Sequence, residues 1–326
     1  SLVSNVSDTA RWVTAHRAKE SARPDALFRD PLAERLAGGQ QGHAIIAAAP
    51  RSIRDGWWLV ARTKIIDDLI AQAIEQGCDR VLNLAAGLDT RPYRLDLPAG
   101  LKWVEADLPA LVAEKEQLLA DQTPPRCRLS RHAVDLADSR ARNAFLDEAL
   151  AGGATKAFVL TEGLLMYLEE ADVIGLSAAF QRSEIAWWTF DFGSGGIKTT
   201  MNDKTDGMMR NAPIKFAPTQ RSGVLRKKSR LVSRLRGITV DGGPSVAAVA
   251  AAASARGPPT TARSAQPGRQ DVERGSVCHP RARAQANNES IAERGTSTWV
   301  APAASGSSWP WLKKKITPSL VIANSW

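Results

Sequence analysis

Four residues in this sequence each stand where a short apolar run gives way to a turn, which is where a parallel α/β sheet binds its ligands. The first is Gly87, in the run Val81-Leu82-Asn83-Leu84-Ala85-Ala86-Gly87-Leu88-Asp89-Thr90-Arg91. A strand that ends in small residues lets a cofactor approach the backbone closely, and Gly87 is the residue there with no Cβ. The second is Asp107, at the end of Trp103-Val104-Glu105-Ala106-Asp107 and 20 residues beyond Gly87. A carboxylate in that position can accept hydrogen bonds from ribose hydroxyls, or it can cap the helix that begins near Leu108. The third is Asp135, in Val134-Asp135-Leu136-Ala137-Asp138. Its carboxylate can receive an adenine amino group, with the N–H of Leu136 beside it, while Asp138 reads more simply as a helix N-cap. The fourth is Glu162, followed by Gly163 in Leu160-Thr161-Glu162-Gly163. It either faces the ligand crevice or holds a neighbouring loop.

The turn at Gly87 carries one glycine and is not the GxGxxG of a dinucleotide-binding fold. A pyrophosphate needs more room than that turn offers, whereas methionine and adenosine moieties need less. A dehydrogenase therefore ranks behind a cofactor of the latter kind. His132 stands alone beside the third strand and reads as structural. No residue is assigned as catalytic.

The elements that would position these groups alternate. Residues 22–38 and 53–77 have apolar residues at helical spacing, with Gly77 as a stop. Short strands are expected at 80–84, 101–106, 127–134, 156–161 and 184–192, with helices at 108–120, 139–150 and 169–182 between them. That alternation predicts a doubly wound, mostly parallel Rossmann-like sheet over 79–220, behind a helical N-terminal region, 1–78.

Composition divides the chain. Up to Gln220 there are 26 Lys and Arg against 29 Asp and Glu, and from Arg221 onward 17 against 5. The net charge of +9 thus belongs to the last hundred residues, and the body carries −3. A whole-chain charge argument for a nucleic-acid partner fails on that division. Cys78, Cys127 and Cys278 form no CxxC pair, so no disulfide framework or metal site is expected, in keeping with a cytoplasmic location. No apolar run reaches about 18 residues, and the opening SLVSNVSDTARW lacks the layout of a signal peptide, so no membrane association is expected.

Taken in order, ESARPDALFRDPLAERLAG, Arg62 and Asp67-Asp68 in ARTKIIDDLI, LAAGLDTRPYRL, EADLP, VDLAD and TEGLLMYL resemble the motifs of the leucine carboxyl methyltransferase-like family, in particular its bacterial S-adenosylmethionine-dependent branch. The resemblance covers residues 8–220. It implies an S-adenosyl-L-methionine-dependent methyltransferase in which Arg62 pairs with the methionyl carboxylate and Gly87 passes beneath the cofactor. Asp107 would hold the ribose, Asp135 and Leu136 the adenine, and Glu162 the methionyl amine. Lys19 falls loosely at a family basic position. Ala85 departs from a common glycine, and its small size is expected to leave the turn intact. The implied chemistry is an SN2 transfer to an oxygen nucleophile, a carboxylate or a hydroxyl, on an acceptor that the sequence does not identify. A carboxylate needs no general base, being already ionised.

From residue 221 the resemblance stops. Residues 245–261 are nearly all Ala, Val, Gly, Pro and Ser, and 263–288 show no period. Such a composition is expected to be disordered. Val224 to Ser233 can be encoded by codons that, read one base later, give FFEKSRGW, a segment like the one the family has next. Residues 221–326 are accordingly read as an atypical basic tail, a candidate frameshift product. Two other readings follow from that tail: an inactive homologue, and polyanion binding through Arg226-Lys227-Lys228 and Lys313-Lys314-Lys315.

Overall fold

A computed structural model describes residues 6–49, 54–193, 213–216, 235–240 and 320–325. The N-terminal part is helical: α1 (Val6–Ser21), α2 (Ala33–Leu36), α3 (Gln40–Ala48) and α4 (Trp57–Glu75). Then strands and helices alternate as β1 (Arg80–Leu84), α5 (Arg91–Arg94), β2 (Lys102–Asp107), α6 (Pro109–Leu119), β3 (Arg128–Ala133), α7 (Ser139–Leu150), β4 (Ala157–Thr161), α8 (Glu170–Ala179) and β5 (Ile185–Gly193). Two further strands, β6 (Leu235–Val240) and β7 (Leu320–Ser325), come from beyond residue 220.

The seven strands form one sheet in the order β3-β2-β1-β4-β5-β7-β6. The first five are parallel, and β7 lies antiparallel between β5 and β6. The strand order reverses between β1 and β4, and at such a switch point the loops leaving the two strands part and open a crevice.

Burial follows the pleat. In β1 and β4 every residue is buried, as in strands covered on both faces. Val81, Trp103, Phe158, Leu160 and Trp187 pack with α1, α3 and α4 on one face. Leu82, Leu84, Val104, Val159, Trp188 and Phe190 pack with α7 and α8 on the other. The apolar face of α4 (Leu59, Ile65, Ile66, Leu69, Ile70 and Ala73) supplies much of the first cluster. Gly56 precedes α4 in the left-handed region, at φ 61°.

One part of the sequence reading differs from the structure. Residues 22–38 yield only the short α2, because Pro24 and Pro31 interrupt the run and side chains capture its backbone. Glu20 accepts from the N–H of Leu27 at 2.7 Å, and the Ser21 hydroxyl from that of Asp30 at 2.8 Å. Strands β6 and β7, from beyond residue 220, join the same sheet. Among the described residues no helix is long and apolar enough to cross a membrane, and no group of three or more His, Cys, Asp or Glu is placed to hold a metal. The readings placed on residues 241–319 and on the segment 224–233 lie outside the described residues.

Candidate functional site

The parallel strands β1, β2 and β4 deliver their C-terminal ends to one cavity of about 300 Å³. Arg62, Gly87, Asp107, Asp135, Leu136 and Glu162 all line it. Residues spread over a hundred positions of sequence thus meet because right-handed crossovers bring the ends of parallel strands to one edge.

The turn after β1 is drawn tight. The N–H groups of Ala85 and Ala86 both donate to the carbonyl of Ala106, at 2.8 and 3.3 Å. Ala85 takes φ 56° and Gly87 φ 47°. At Ala85 the sequence argument from size is incomplete, because the conformation demanded is left-handed and is unfavourable for any residue with a Cβ. At Gly87 a Cβ would meet only the Cβ of Ala10, at 3.5 Å, so the positive φ is what favours glycine there.

Asp107 closes this turn from β2. Its Oδ2 accepts from the N–H of Gly87 at 2.6 Å, and its Oδ1 from the N–H of Leu108 at 2.8 Å. Burial pushes its carboxyl above the usual range, and the two N–H donors partly offset that shift. The N-cap of α6 is Leu108, with no side-chain cap bond, and Pro109 opens the helix. The capping reading of Asp107 therefore does not hold. Asp138, by contrast, does cap α7, accepting from the N–H of Arg140 and of Ala141 at 2.8 and 3.1 Å. That leaves Asp135 exposed at the cavity mouth, its Oδ1 accepting only the local N–H of Ala137 at 2.9 Å, with Leu136 buried beside it. His132 packs edge-on against Phe145 and does not line the cavity.

Under the end of β4 the wall is a buried ion-pair network. Arg62 donates from Nη1 to Asp191 Oδ2 at 2.7 Å. Its Nε lies 2.9 Å from Glu162 Oε1, an ion pair without hydrogen-bond alignment. Arg91 donates from Nη1 to Glu162 Oε2 at 2.8 Å and to Asp89 Oδ2 at 2.7 Å, and from Nε to Asp67 Oδ1 at 2.7 Å. Arg94 makes a second pair of bonds to Asp67. Burial alone would push the Glu162 carboxyl up, but Arg91 and Arg62 hold it below the usual carboxylate range. Asp89 is likewise held low against its burial, chiefly by Arg91. Asp191, on β5, also accepts from the N–H of Gly163 at 2.5 Å, fixing the turn after Glu162.

Several of these residues carry no assignment from sequence. Arg91 and Asp89 lie in the quoted turn motif, but their role appears only through contacts. Asp191 lies in a run that reads simply as a strand. Helix α1 contributes Thr9, Trp12 and Arg17 to the lining, and Arg17 donates to the carbonyl of Leu88 at 2.6 Å and to Asp30 at 2.8 Å. Lys19 is exposed and does not line the cavity.

Comparison with known proteins bears on this arrangement. A protein of Parafrankia sp. (strain EAN1pec), provisionally named an S-adenosyl-L-methionine-dependent methyltransferase, is 39% identical over 198 residues, covering 52% of this chain and 58% of its own length. A Streptomyces coelicolor protein of the same provisional name is 37% identical over 179 residues, covering 51% of this chain and 61% of its own. A third, from Mycobacterium tuberculosis (strain H37Rv), is 35% identical over 202 residues, covering 57% of this chain and 66% of its own. The chain thus spans less than two thirds of each of these relatives. Residues 10–180, more than half of the chain, match the family described as leucine carboxyl methyltransferase, and the protein is a member of that family.

Proposed function

We propose that the cavity binds S-adenosyl-L-methionine and that the protein transfers its methyl group to an oxygen nucleophile, with a carboxylate as the acceptor class. The observation that carries this reading is the convergence of Arg62, Gly87, Asp107, Asp135, Leu136 and Glu162 on one cavity. Asp107 would hold the ribose hydroxyls, Asp135 and the N–H of Leu136 the adenine edge, Glu162 the methionyl amine and Arg62 the methionyl carboxylate. Arg62 has five N–H donors, so its ion pairs with Asp191 and Glu162 leave capacity for a further carboxylate.

Two features of the wall fit such a ligand. Leu108, beside Asp107, is 44% exposed and is the one large apolar side chain so exposed among the described residues. It offers an uncovered surface against which a flat adenine ring would lose water. The network under β4 sets three guanidiniums, Arg62, Arg91 and Arg94, against four carboxylates, Asp67, Asp89, Glu162 and Asp191. The single excess negative charge suits a ligand with net positive charge.

When bound, the cofactor supplies an electrophilic methyl group on a sulfonium. The protein's part is to position the acceptor and exclude water. Among the described lining residues there is no histidine, Asp89 and Glu162 are held too acidic to be good bases, and Asp107, though pushed up by burial, is bound by the N–H groups of Gly87 and Leu108. Burial pushes the Tyr167 phenol up, which keeps it neutral. An acceptor that arrives ionised needs no base, and this favours a carboxylate over a hydroxyl. The free, buried Cys78 and Cys127 support a reducing, cytoplasmic setting.

The test is calorimetric titration of the full chain with S-adenosyl-L-methionine, and with NADH in parallel. Saturable binding of the first alone is expected. A folded protein that binds neither, or that binds NADH instead, would sink the proposal.

A further inference from the structure

We infer that Arg91 is the positioning residue of the cavity: from the cavity wall it holds Glu162 in place for the ligand's amine. This rests on the cofactor reading above. Arg91 is 2% exposed, and its guanidinium reaches carboxylates from three other parts of the site. It binds Asp67 on α4, Asp89 in the turn after β1 and Glu162 at the end of β4. The backbone N–H of Arg91 also donates to Asp89 Oδ1 at 2.9 Å, so side chain and main chain grip the same carboxylate. Asn83, at the heart of β1, holds the same Asp89 from below at 2.8 Å. The fork is thereby anchored to the sheet itself.

Glu162 depends on this anchor more than on Arg62. The Arg91 contact is an aligned hydrogen bond at 2.8 Å, whereas the Nε–H of Arg62 is not aligned on Glu162 and its Nη1 is given to Asp191. Both arginines place cationic field on Glu162, and Arg91 also fixes the position of one carboxylate oxygen through its aligned bond. A planar guanidinium with several donors can serve three carboxylates in fixed directions, which an ammonium cannot do.

The experiment compares S-adenosyl-L-methionine with S-adenosyl-L-homocysteine, which carries the same amine and carboxylate but a neutral sulfur. Both are titrated into the parent chain, Arg91→Met, Arg91→Lys, Glu162→Gln and the Arg91→Met/Glu162→Gln double variant. Loss of a positioned, charged hydrogen bond is expected to weaken both ligands by a similar factor, on the order of tenfold. The effects of Arg91→Met and Glu162→Gln are expected to be strongly non-additive, because one acts through the other. Arg91→Lys keeps a charge for one carboxylate, so it is the variant that tests the role if Arg91→Met fails to fold; it should weaken both ligands as well. Unchanged affinity in a folded Arg91 variant would overturn the assignment. So would a change confined to the sulfonium ligand, which would mark a purely electrostatic effect, or additive effects in the double variant. A parent chain that binds neither ligand would remove the cofactor reading itself, and the assignment with it.

Discussion

The carboxylate of Asp107 accepts the backbone N–H of Gly87 at 2.6 Å, across 20 residues of sequence. That bond ties the end of β2 to the turn after β1, and with the Leu108 N–H on Oδ1 it leaves both carboxylate oxygens accepting from the backbone before any ligand arrives. Asp107 also lines the cavity, so the group that shapes the turn is the one proposed to hold the ribose.

Replacing Asp107 should therefore cost both stability and binding. Asp107→Ala leaves the N–H groups of Gly87 and Leu108 without their acceptor, at a cost of about 1–3 kcal/mol for an orphaned buried donor. Asp107→Asn keeps one acceptor oxygen and should lose less stability, yet it should still weaken S-adenosyl-L-methionine by roughly tenfold. Urea denaturation and calorimetry on the two variants separate these effects. An alanine variant as stable as the parent would contradict the structural role, and an asparagine variant with parent affinity would contradict the ribose role.

Ala85 carries the opposite opportunity. It sits at φ 56°, where a Cβ crowds the following carbonyl oxygen. Ala85→Gly should raise stability by about 1 kcal/mol, because relief of that crowding outweighs the extra freedom gained by the unfolded chain. The gain should be visible as a higher urea midpoint with an unchanged slope. A loss of stability would mean that the Cβ packs usefully enough to outweigh its strain.

His16 and Gly56 hold α1 against the start of α4. A Cβ at Gly56 would fall 2.2 Å from the His16 ring, and Gly56 also has a positive φ, so Gly56→Ala should destabilise by about 3 kcal/mol. The same packing buries the imidazole, and that desolvation, helped by Lys19, lowers its pKa from 6.5 to about 4. Below pH 6.5 the unfolded chain takes up a proton that the folded chain refuses until about pH 4. The stability contributed by neutral His16 is thus complete above pH 6.5 and is lost across that window, by about 3 kcal/mol. Thermal melts between pH 4 and 7.5 should show this limb, and His16→Phe, which cannot be protonated, should flatten it. An identical pH profile in the two proteins would rule it out.

How much of this could be read in advance depended on where the information lies. The run Arg80–Leu84 declares a buried strand by itself, and the groups that follow strands, Gly87, Asp107, Asp135 and Glu162, inherit their place from the topology. Helix α1 gave no such signal because much of its buried face is polar, including Asp8, Thr9, Thr14, His16, Arg17 and Glu20. Without an apolar stripe its period is invisible. The run 22–38 did show helical spacing, but the capture of its backbone by Glu20 and Ser21 is a tertiary event. Arg91 and Asp191 escaped for the same reason, since each takes its meaning from partners 24 to 129 residues away.

Asp191 makes the most severe of these dependences testable. It is fully buried on β5 and accepts from Arg62 and from the N–H of Gly163, so a single carboxylate supports both the cationic wall and the turn after Glu162. Asp191→Asn keeps an oxygen for Gly163 but faces its own N–H donors or a neutral dipole toward Arg62. Breaking a buried pair from one side costs about 3–5 kcal/mol, because the surviving charge stays desolvated. Arg62→Met in the same chain removes that stranded charge, so the double variant should recover part of the loss even though it has lost a second polar group. Urea denaturation of the two single variants and the double gives the coupling directly. If Asp191→Asn costs less than about 1 kcal/mol, Glu162 and solvent already compensate Arg62, and the pair is not what holds the wall together.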